Sequence, residues 1–459
     1  MVSSISDAYS AGRHWFISRV NALSPAQVLV AGFAALILVG GVLLALPVSS
    51  RDGEALPFLN ALFTSTSAVC VTGLVVVDTY DQYSLFGQIV ILCLIQTGGL
   101  GIMTVSTLIF LVLGRRVTLR SRLIIQEAMN QLTLEGMVRL IRKVLLVTVI
   151  VEGVGAALLA IRWSFDMNIG RAVYYGIFHA VSGFCNAGFD LFGGFRSLIG
   201  YRGDIWVNLV MTSLIIIGGL GFTVVSEVFA HRKGCRYSLH TRIVLATTAL
   251  LIISGTVVIF LLELHNPATL GQLGPVQKVL GAYFQAVTPR TAGFSTLPIG
   301  ELRSATLLFM IILMFVGASP GSTGGGIKTA TFATLLLAVR SVVKGKEDVE
   351  AFERRIPHRV VYRALAVSMI SLALVIAVTM ALSIVRQDGL LPVLFEATSA
   401  FGTVGLSMGI TPTLSAIGKI LVICTMFAGR VGPLTVTAAI ASRQHANAVR
   451  YPEERVMVG

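Results

Sequence analysis

Stripping water from a cation takes oxygen ligands held at fixed positions, and four short loops in this sequence are built to present backbone oxygens. They read Cys70-Val71-Thr72-Gly73-Leu74, Cys185-Asn186-Ala187-Gly188-Phe189, Arg290-Thr291-Ala292-Gly293-Phe294 and Gly402-Thr403-Val404-Gly405-Leu406. Glycine is fourth in each, where it permits the unusual torsions that turn successive carbonyls toward a common axis. The four glycines lie 115, 105 and 112 residues apart. One such loop means nothing; the period carries the argument, because internal repeats in a membrane protein usually surround its substrate site. The candidate ion-facing triplets are Val71-Thr72-Gly73, Asn186-Ala187-Gly188, Thr291-Ala292-Gly293 and Thr403-Val404-Gly405. Their side chains are small or uncharged, so a carboxylate ring is not the ligand set. Arg290 is the exception beside them, and its charge is expected to point outward or to pair with an acid. This chemistry leaves potassium, sodium and ammonium all open as the ion.

Similar lead-ins precede the loops: Ser65-Thr66-Ser67-Ala68, His179-Ala180-Val181-Ser182, Gln285-Ala286-Val287-Thr288 and Glu396-Ala397-Thr398-Ser399. Each repeat reads as an outer helix, a half-helix, a loop and an inner helix. The first helix starts after Ser24-Pro25, with proline at the first helical position, and stops at Pro47. The segment 58–71 is too short to span a bilayer, so it enters, turns at Gly73 and returns, as is tolerated where protein or water satisfies the backbone. The inner helix of the first repeat, about 84–113, carries Gly98-Gly99-Leu100-Gly101 near its middle, and that of the second carries Gly218-Gly219-Leu220-Gly221. Two copies of GGLG at matching depth support the repeat independently. The third and fourth repeats break this pattern. The third has Gly317-Ala318-Ser319-Pro320-Gly321-Ser322-Thr323-Gly324-Gly325-Gly326 and the fourth Gly429-Arg430-Val431-Gly432-Pro433. Glycine and proline cost about 1 and 3 kcal/mol per interior helical position, so the third inner helix is expected in two pieces, about 302–317 and 328–342, joined by a flexible intramembrane segment.

The composition fits only one class of protein. The chain is 55% hydrophobic and 12% charged, against roughly 25% charged in soluble domains. Apolar runs at 27–46, 85–113, 144–161, 206–229, 243–262 and 364–384 are each long enough to cross about 30 Å of hydrocarbon. The runs are uniformly apolar rather than alternating, which excludes a β-barrel. No small-residue cleavage site follows the first run, so it is a retained helix. The expected fold is an all-α polytopic membrane protein: four tandem repeats around one pore, with about eight transmembrane helices and four re-entrant half-helices.

The net charge of +13 does not point to nucleic acid. Of 35 Lys and Arg, 18 fall in the segments 115–143, 232–242 and 340–363, and the opposite loops balance their basic residues with acids. Alternation of this kind follows the positive-inside rule, making both termini and the three basic loops cytoplasmic. Docking of an acidic partner or of lipid is a second role open to these loops. The resulting organisation is a cytoplasmic 1–24, repeats at 25–114, 144–231, 243–343 and 358–442, cytoplasmic loops at 115–143, 232–242 and 344–357, and a cytoplasmic 443–459.

Several tempting motifs carry no chemistry. Gly321 to Thr329 superficially resembles a phosphate-binding loop, but Ile327 separates the last glycine from Lys328 and no strand precedes it. The five cysteines show no metal spacing, and Cys70 and Cys185 occupy equivalent loop positions. His179 reads as a polar packing residue, and no catalytic set emerges, so the chain is not expected to be an enzyme. A secondary transporter with alternating access is the main rival to a pore. Parallel four-fold repetition argues against it, since that class more often shows inverted halves.

In combination, the four degenerate loops, the Gly-Ser-rich break in the third inner helix and the arginine of the fourth resemble the Trk/Ktr/HKT potassium-transporter superfamily over residues 25–442, and the short N-terminal region favours its KtrB-like branch. The resemblance implies potassium uptake, often with sodium as an activator, with potassium held by the backbone carbonyls of the four triplets. It implies that Ala318, Ser319, Pro320, Gly321, Ser322, Thr323, Gly324, Gly325 and Gly326 form a gating loop and that Arg430 is its partner. It also implies a homodimer in the cell membrane with a pore in each subunit. Its cytoplasmic partner is a KtrA-like RCK ring, which alone carries the regulatory ATP or ADP. The loops lack the second glycine of the T-V-G-Y-G pattern of tetrameric channels, so fewer complete carbonyl rings are expected.

Overall fold

A computed structural model describes residues 25–101, 137–229, 236–386, 389–432 and 435. The expected cytoplasmic ends 1–24 and 443–459, most of the loop 115–143, part of 232–242 with Cys235, and the continuation of the first inner helix to 113 lie outside the described residues. Among the described residues the secondary structure is helical apart from one two-stranded hairpin. The first repeat comprises α1 (Pro25–Ala45), α2 (Phe58–Val69), a single turn α3 (Thr79–Gln82) and α4 (Leu85–Leu100). The second has α5 (Met137–Trp163), α6 (Ile169–Phe184), α7 (Ile205–Gly219) and α8 (Phe222–Phe229). The third has α9 (Leu239–Glu263), α10 (Pro275–Val287), α11 (Ser304–Phe315) and α12 (Thr329–Val343). A hairpin of β1 (Val349–Ala351) and β2 (Arg354–Ile356) then leads to the fourth, α13 (His358–Val385), α14 (Leu390–Gly402) and α15 (Ala416–Val431). Val349, Ala351 and Ile356 seat the hairpin in a cluster with Ile243 of α9 and Ala333 of α12.

Length separates the helices into classes with different jobs. Among the described residues, four helices are long and apolar enough to cross a membrane, the outer helix of each repeat. Their lipid-facing sides are apolar, as at Leu38, Val149, Ile253 and Met380, all exposed. The half-helix α2 has 12 residues, about 18 Å at 1.5 Å per residue, so it ends inside the membrane. From Ala61 to Val69 it is buried except at Leu62, which keeps its polar groups within protein, as an intramembrane chain end requires. Three of the inner helices start at side-chain caps: Ser84 accepts from the Gly87 N–H, Asp204 from Val207 and Ser415 from Gly418.

The repeats close into a ring. Each half-helix packs on the outer helix of its own repeat, and also on the inner helix of the repeat before it. Thus α4 meets α6, α7 meets α10 and α11 meets α14, while α15 returns to α2. That last contact joins the two ends of the chain's order and leaves an axis between the four half-helix tips.

One expectation needs correcting. The inner helices of the first two repeats were expected to run through GGLG, but they break there. Helix α4 ends at Leu100, with Gly101 at φ 84°. The second pair, Ile205–Gly219 and Phe222–Phe229, is bent by 106°, with Gly221 at φ 91°. The fourth ends at Gly432, φ 93°. Among the described residues, all four inner helices therefore end or break at these glycine-rich positions. The two pieces expected in the third are present at Ser304–Phe315 and Thr329–Val343.

The first glycine of each GGLG also has a packing reason. A Cβ on Gly98 would fall on the Val69 carbonyl, one on Gly218 on the Phe184 carbonyl, and one on Gly429 on the Phe401 carbonyl. Inner helix and half-helix tip touch backbone to backbone, so a methyl group forces one away. Gly218→Ala is expected to cost roughly 2–3 kcal/mol, the scale of core overpacking. The control is Gly153→Ala, where nothing lies within 4 Å. Thermal unfolding of the two purified variants checks this; equal midpoints would remove the close approach as the reason for glycine.

Candidate functional site: a ring of four loops

The four loops meet around the axis in chain order. A Cβ on Gly73 would lie 2.6 Å from the Ala187 carbonyl oxygen, one on Gly188 3.0 Å from Ala292 and one on Gly293 2.7 Å from Val404. One on Gly405 would overlap the Thr72 carbonyl oxygen, completing the circle. The carbonyls of Thr72, Ala187, Ala292 and Val404 thus alternate with the four glycines in one closed ring. Gly73, Gly188, Gly293 and Gly405 have φ of 89°, 72°, 77° and 92°. Two residues earlier, Val71, Asn186, Thr291 and Thr403 are also left-handed, at 50°, 57°, 70° and 49°. Three of these are β-branched, for which such torsions are strained and persist only where the surroundings enforce them.

Those surroundings are the half-helix ends. The N–H groups of Thr72, Ala187 and Val404 reach back to the carbonyls of Ser67, Ser182 and Ser399, each at 2.8 Å. The hydroxyls of Ser67 and Ser399 accept from Gly73 and Gly405 at 3.0 and 3.1 Å. The third loop differs because it is one residue shorter: Ala292 N–H donates to Thr288 O at 3.0 Å. Arg290 is buried beside it, and its Nη2 donates to Thr248 Oγ1 of α9 at 3.2 Å. Of the two expectations for Arg290, the structure takes the outward one: the side chain reaches this hydroxyl on the outer helix of its repeat rather than an acid.

Sequence reading missed a layer behind the ring. Phe63, Phe178, Phe284 and Phe395 occupy the same place in the four half-helices and are wholly buried. Each is followed by a buried polar residue, Thr64, His179, Gln285 or Glu396. The signal was present as Phe, a polar residue and then Ser or Ala, once per repeat. His179 is a packing residue as expected: its Nδ1 donates to Tyr175 O at 2.8 Å, leaving Nε2 to accept from the Leu191 N–H at 3.3 Å. Glu152 of α5 was also missed; it accepts from Gln96 Nε2 at 3.2 Å and lies beside the Cys185 thiol.

Directly against the ring lies the Gly-Ser-rich segment 318–326. Its ends are pinned by a bridge between Val316 and Ile327. A Cβ on Gly324 would overlap the Thr291 hydroxyl, and the Gly325 N–H donates to Thr403 Oγ1 at 3.0 Å. Ser319 N–H reaches Gly219 O at 3.0 Å, Phe222 N–H reaches Gly321 O at 2.8 Å, and Thr323 Oγ1 donates to Phe184 O at 3.3 Å. Pro320 and Ser322 lie on its partly exposed side, and Ala318 is buried. Two cations reach into the segment. Lys328 Nζ donates to Gly324 O at 2.7 Å, and Arg430 donates to the carbonyls of Thr323, Gly98 and Gly99. Arg430 thereby joins the segment to the break in the first inner helix, a partner that the sequence did not indicate.

Comparison with known proteins finds relatives over nearly the whole chain. Residues 15–449 match the TrkH family, described as a cation transport protein. The chain is 44% identical to the Ktr system potassium uptake protein B of Bacillus subtilis (strain 168) over 95% of this chain and 97% of that one. It is 40% identical to the potassium/sodium uptake protein NtpJ of Enterococcus hirae, over 95% and 98%. The crystal structure of the potassium transporter TrkH from Vibrio parahaemolyticus superposes with a TM-score of 0.70 at 21% identity, over 90% of this chain and 83% of that one, a likeness of fold. Four repeats, a closed carbonyl ring and these relatives lead to one conclusion: this multi-pass membrane chain belongs to the TrkH family of cation transport proteins.

Proposed function

We propose that the chain is the ion-conducting membrane subunit of a potassium-uptake system. The observation that carries this reading is the ring in which the carbonyls of Thr72, Ala187, Ala292 and Val404 alternate with four left-handed glycines. Carbonyl dipoles in such a ring replace the hydration shell of a monovalent cation as it enters. The triplets ending in Gly73, Gly188, Gly293 and Gly405 act as the selectivity filter. The names of the relatives above support potassium as the ion, and that of the Enterococcus protein supports a part for sodium. The segment 318–326 acts as the gate: it touches Thr291 and Thr403 and is held by Arg430 and Lys328. Moving it aside opens the path, an order change of a kind used in many switches.

Regulation comes from outside the chain. Both termini and the basic loops face the cytoplasm of a cell whose membrane holds the protein as a homodimer, and a KtrA-like ring docks on that face. The helix α12 continues directly from the gate into the basic segment 340–363, so a ring that pulls on this segment acts on the gate. The ring binds ATP or ADP, ATP favouring conduction. The test is growth of a potassium-uptake-deficient host expressing the full chain, with and without such a ring. Growth restored at limiting potassium is the expected result; growth independent of expression overturns the reading.

A further inference from the structure

We infer that Glu396 is a positioning residue for ion discrimination: from behind the fourth loop, its carboxylate fixes the limb leaving the ring and so sets the spacing of the Val404 carbonyl. This inference rests on the filter reading above and adds a residue from the layer behind it. Thr64, His179, Gln285 and Glu396 hold equivalent places, but they do different things. Thr64 turns back to Asn60 O of its own helix at 3.1 Å. The other three reach across to the limb leaving their own loop. His179 accepts from the Leu191 N–H at 3.3 Å, and Gln285 Nε2 donates to Ser295 Oγ at 2.9 Å. Glu396 accepts from Ser407 Oγ at 2.7 Å on one oxygen and from Thr411 Oγ1 on the other.

The fourth tie differs from the rest in reach. Both oxygens of Glu396 accept from hydroxyl donors on two separate residues of the limb, where His179 and Gln285 each make one contact with theirs. Ser407 Oγ in turn accepts from the Gly409 N–H at 3.0 Å, so one carboxylate orders both 407–409 and 411. The far side of the same limb is held by Arg386, whose Nη1 donates to Thr413 O at 2.7 Å. On the incoming side Ser399 already fixes Val404 and Gly405. The short stretch 404–406 therefore runs between two anchors, Ser399 before it and Glu396 after it. Slack at either anchor widens the ring where the fourth loop meets Gly293, whose Cβ would lie 2.7 Å from Val404 O.

The test uses the purified full chain and reads the potassium and sodium concentrations that give half-maximal thermal protection. Protection by a bound ion follows its affinity without requiring an open gate. Glu396→Gln keeps the size but offers only one acceptor, and the expected loss of preference for potassium over sodium is roughly five- to tenfold, the scale of one strong hydrogen bond. Ser407→Ala and Thr411→Val, which keep Glu396 and each remove one donor, are expected to shift the ratio in the same direction by lesser amounts. They serve also where Glu396→Gln fails to accumulate. A ratio unchanged in all variants that fold overturns the inference, as does lower stability without a change in ratio. Gly293→Ser, measured in parallel, separates the two readings: if it moves the ratio and the Glu396 set does not, the filter stands and the anchor falls. If neither moves it, the filter assignment falls first.

Discussion

Gly293→Ser is expected to lower the preference for potassium over sodium by about ten- to a hundredfold while leaving a folded protein. Two independent costs meet at this position. The backbone has φ 77°, a torsion that costs a residue with a side chain ~1–3 kcal/mol. The new Cβ would also lie 2.7 Å from Val404 O and 2.9 Å from Gly188 Cα, so two neighbouring loops must give way. Because each glycine faces the carbonyl of the next repeat, the displacement does not stay in the third loop. It spreads to the fourth through Val404, and the ring widens toward an opening that no longer matches one ion. Gly53→Ser is the natural control, since Gly53 is also left-handed at φ 71° but has nothing within 4 Å; it carries the torsional cost without the crowding. Uptake of both ions by cells expressing each variant gives the ratio. A ratio in Gly293→Ser equal to that of Gly53→Ser would assign the effect to backbone strain in general and remove the ring from the explanation.

The ring was legible in the sequence because it repeats. Gly73, Gly188, Gly293 and Gly405 recur at a steady spacing, and a backbone that must turn its carbonyls inward leaves glycine as its mark. The half-helices were legible too, since 12 residues of α2 cannot cross a bilayer. The breaks at Gly101 and Gly221 were harder to see, for a physical reason. GGLG sits in unbroken apolar sequence, and hydrophobicity reports burial, whereas the breaks lie at left-handed turns, Gly101 at φ 84° and Gly221 at φ 91°. Contacts between distant repeats leave no local trace: nothing near Arg430 announces that it reaches Gly98, and nothing near Arg290 announces Thr248. The layer of Thr64, His179, Gln285 and Glu396 lay between these cases. Its residues differ in type because each ties down a limb of different sequence, so a search for identical residues passes over it, while the wholly buried phenylalanine before each one would have fixed the alignment.

Arg430→Ala is expected to raise potassium flux through the full chain, without any regulatory partner, by tenfold or more. Arg430 contributes in two ways that the substitution removes together. Its guanidinium donates to Thr323 of the proposed gate and to Gly98 and Gly99 of the first inner helix, a clasp between the segment 318–326 and that helix. Its charge also opposes a cation leaving the ring, and about 1.4 kcal/mol of such repulsion is enough by itself for a tenfold change in rate. Burying this charge in a membrane helix costs about 2.5–3.5 kcal/mol on insertion scales, a cost that selection for the clasp and the barrier accounts for. Arg430→Lys separates the two, since it keeps the charge but loses the fork that grips several carbonyls; an intermediate flux is expected. Lys328 stays in place in both variants, its amine still on Gly324 O, so the segment 318–326 keeps one of its two basic contacts. Removing residues 319–325 takes away the segment itself and is expected to give the highest flux of the series. Flux into liposomes, normalised to the amount of folded protein, decides the matter. If Arg430→Ala falls in step with protein yield and the deletion conducts no better than the parent, the arginine is a structural clamp and the segment is not a gate.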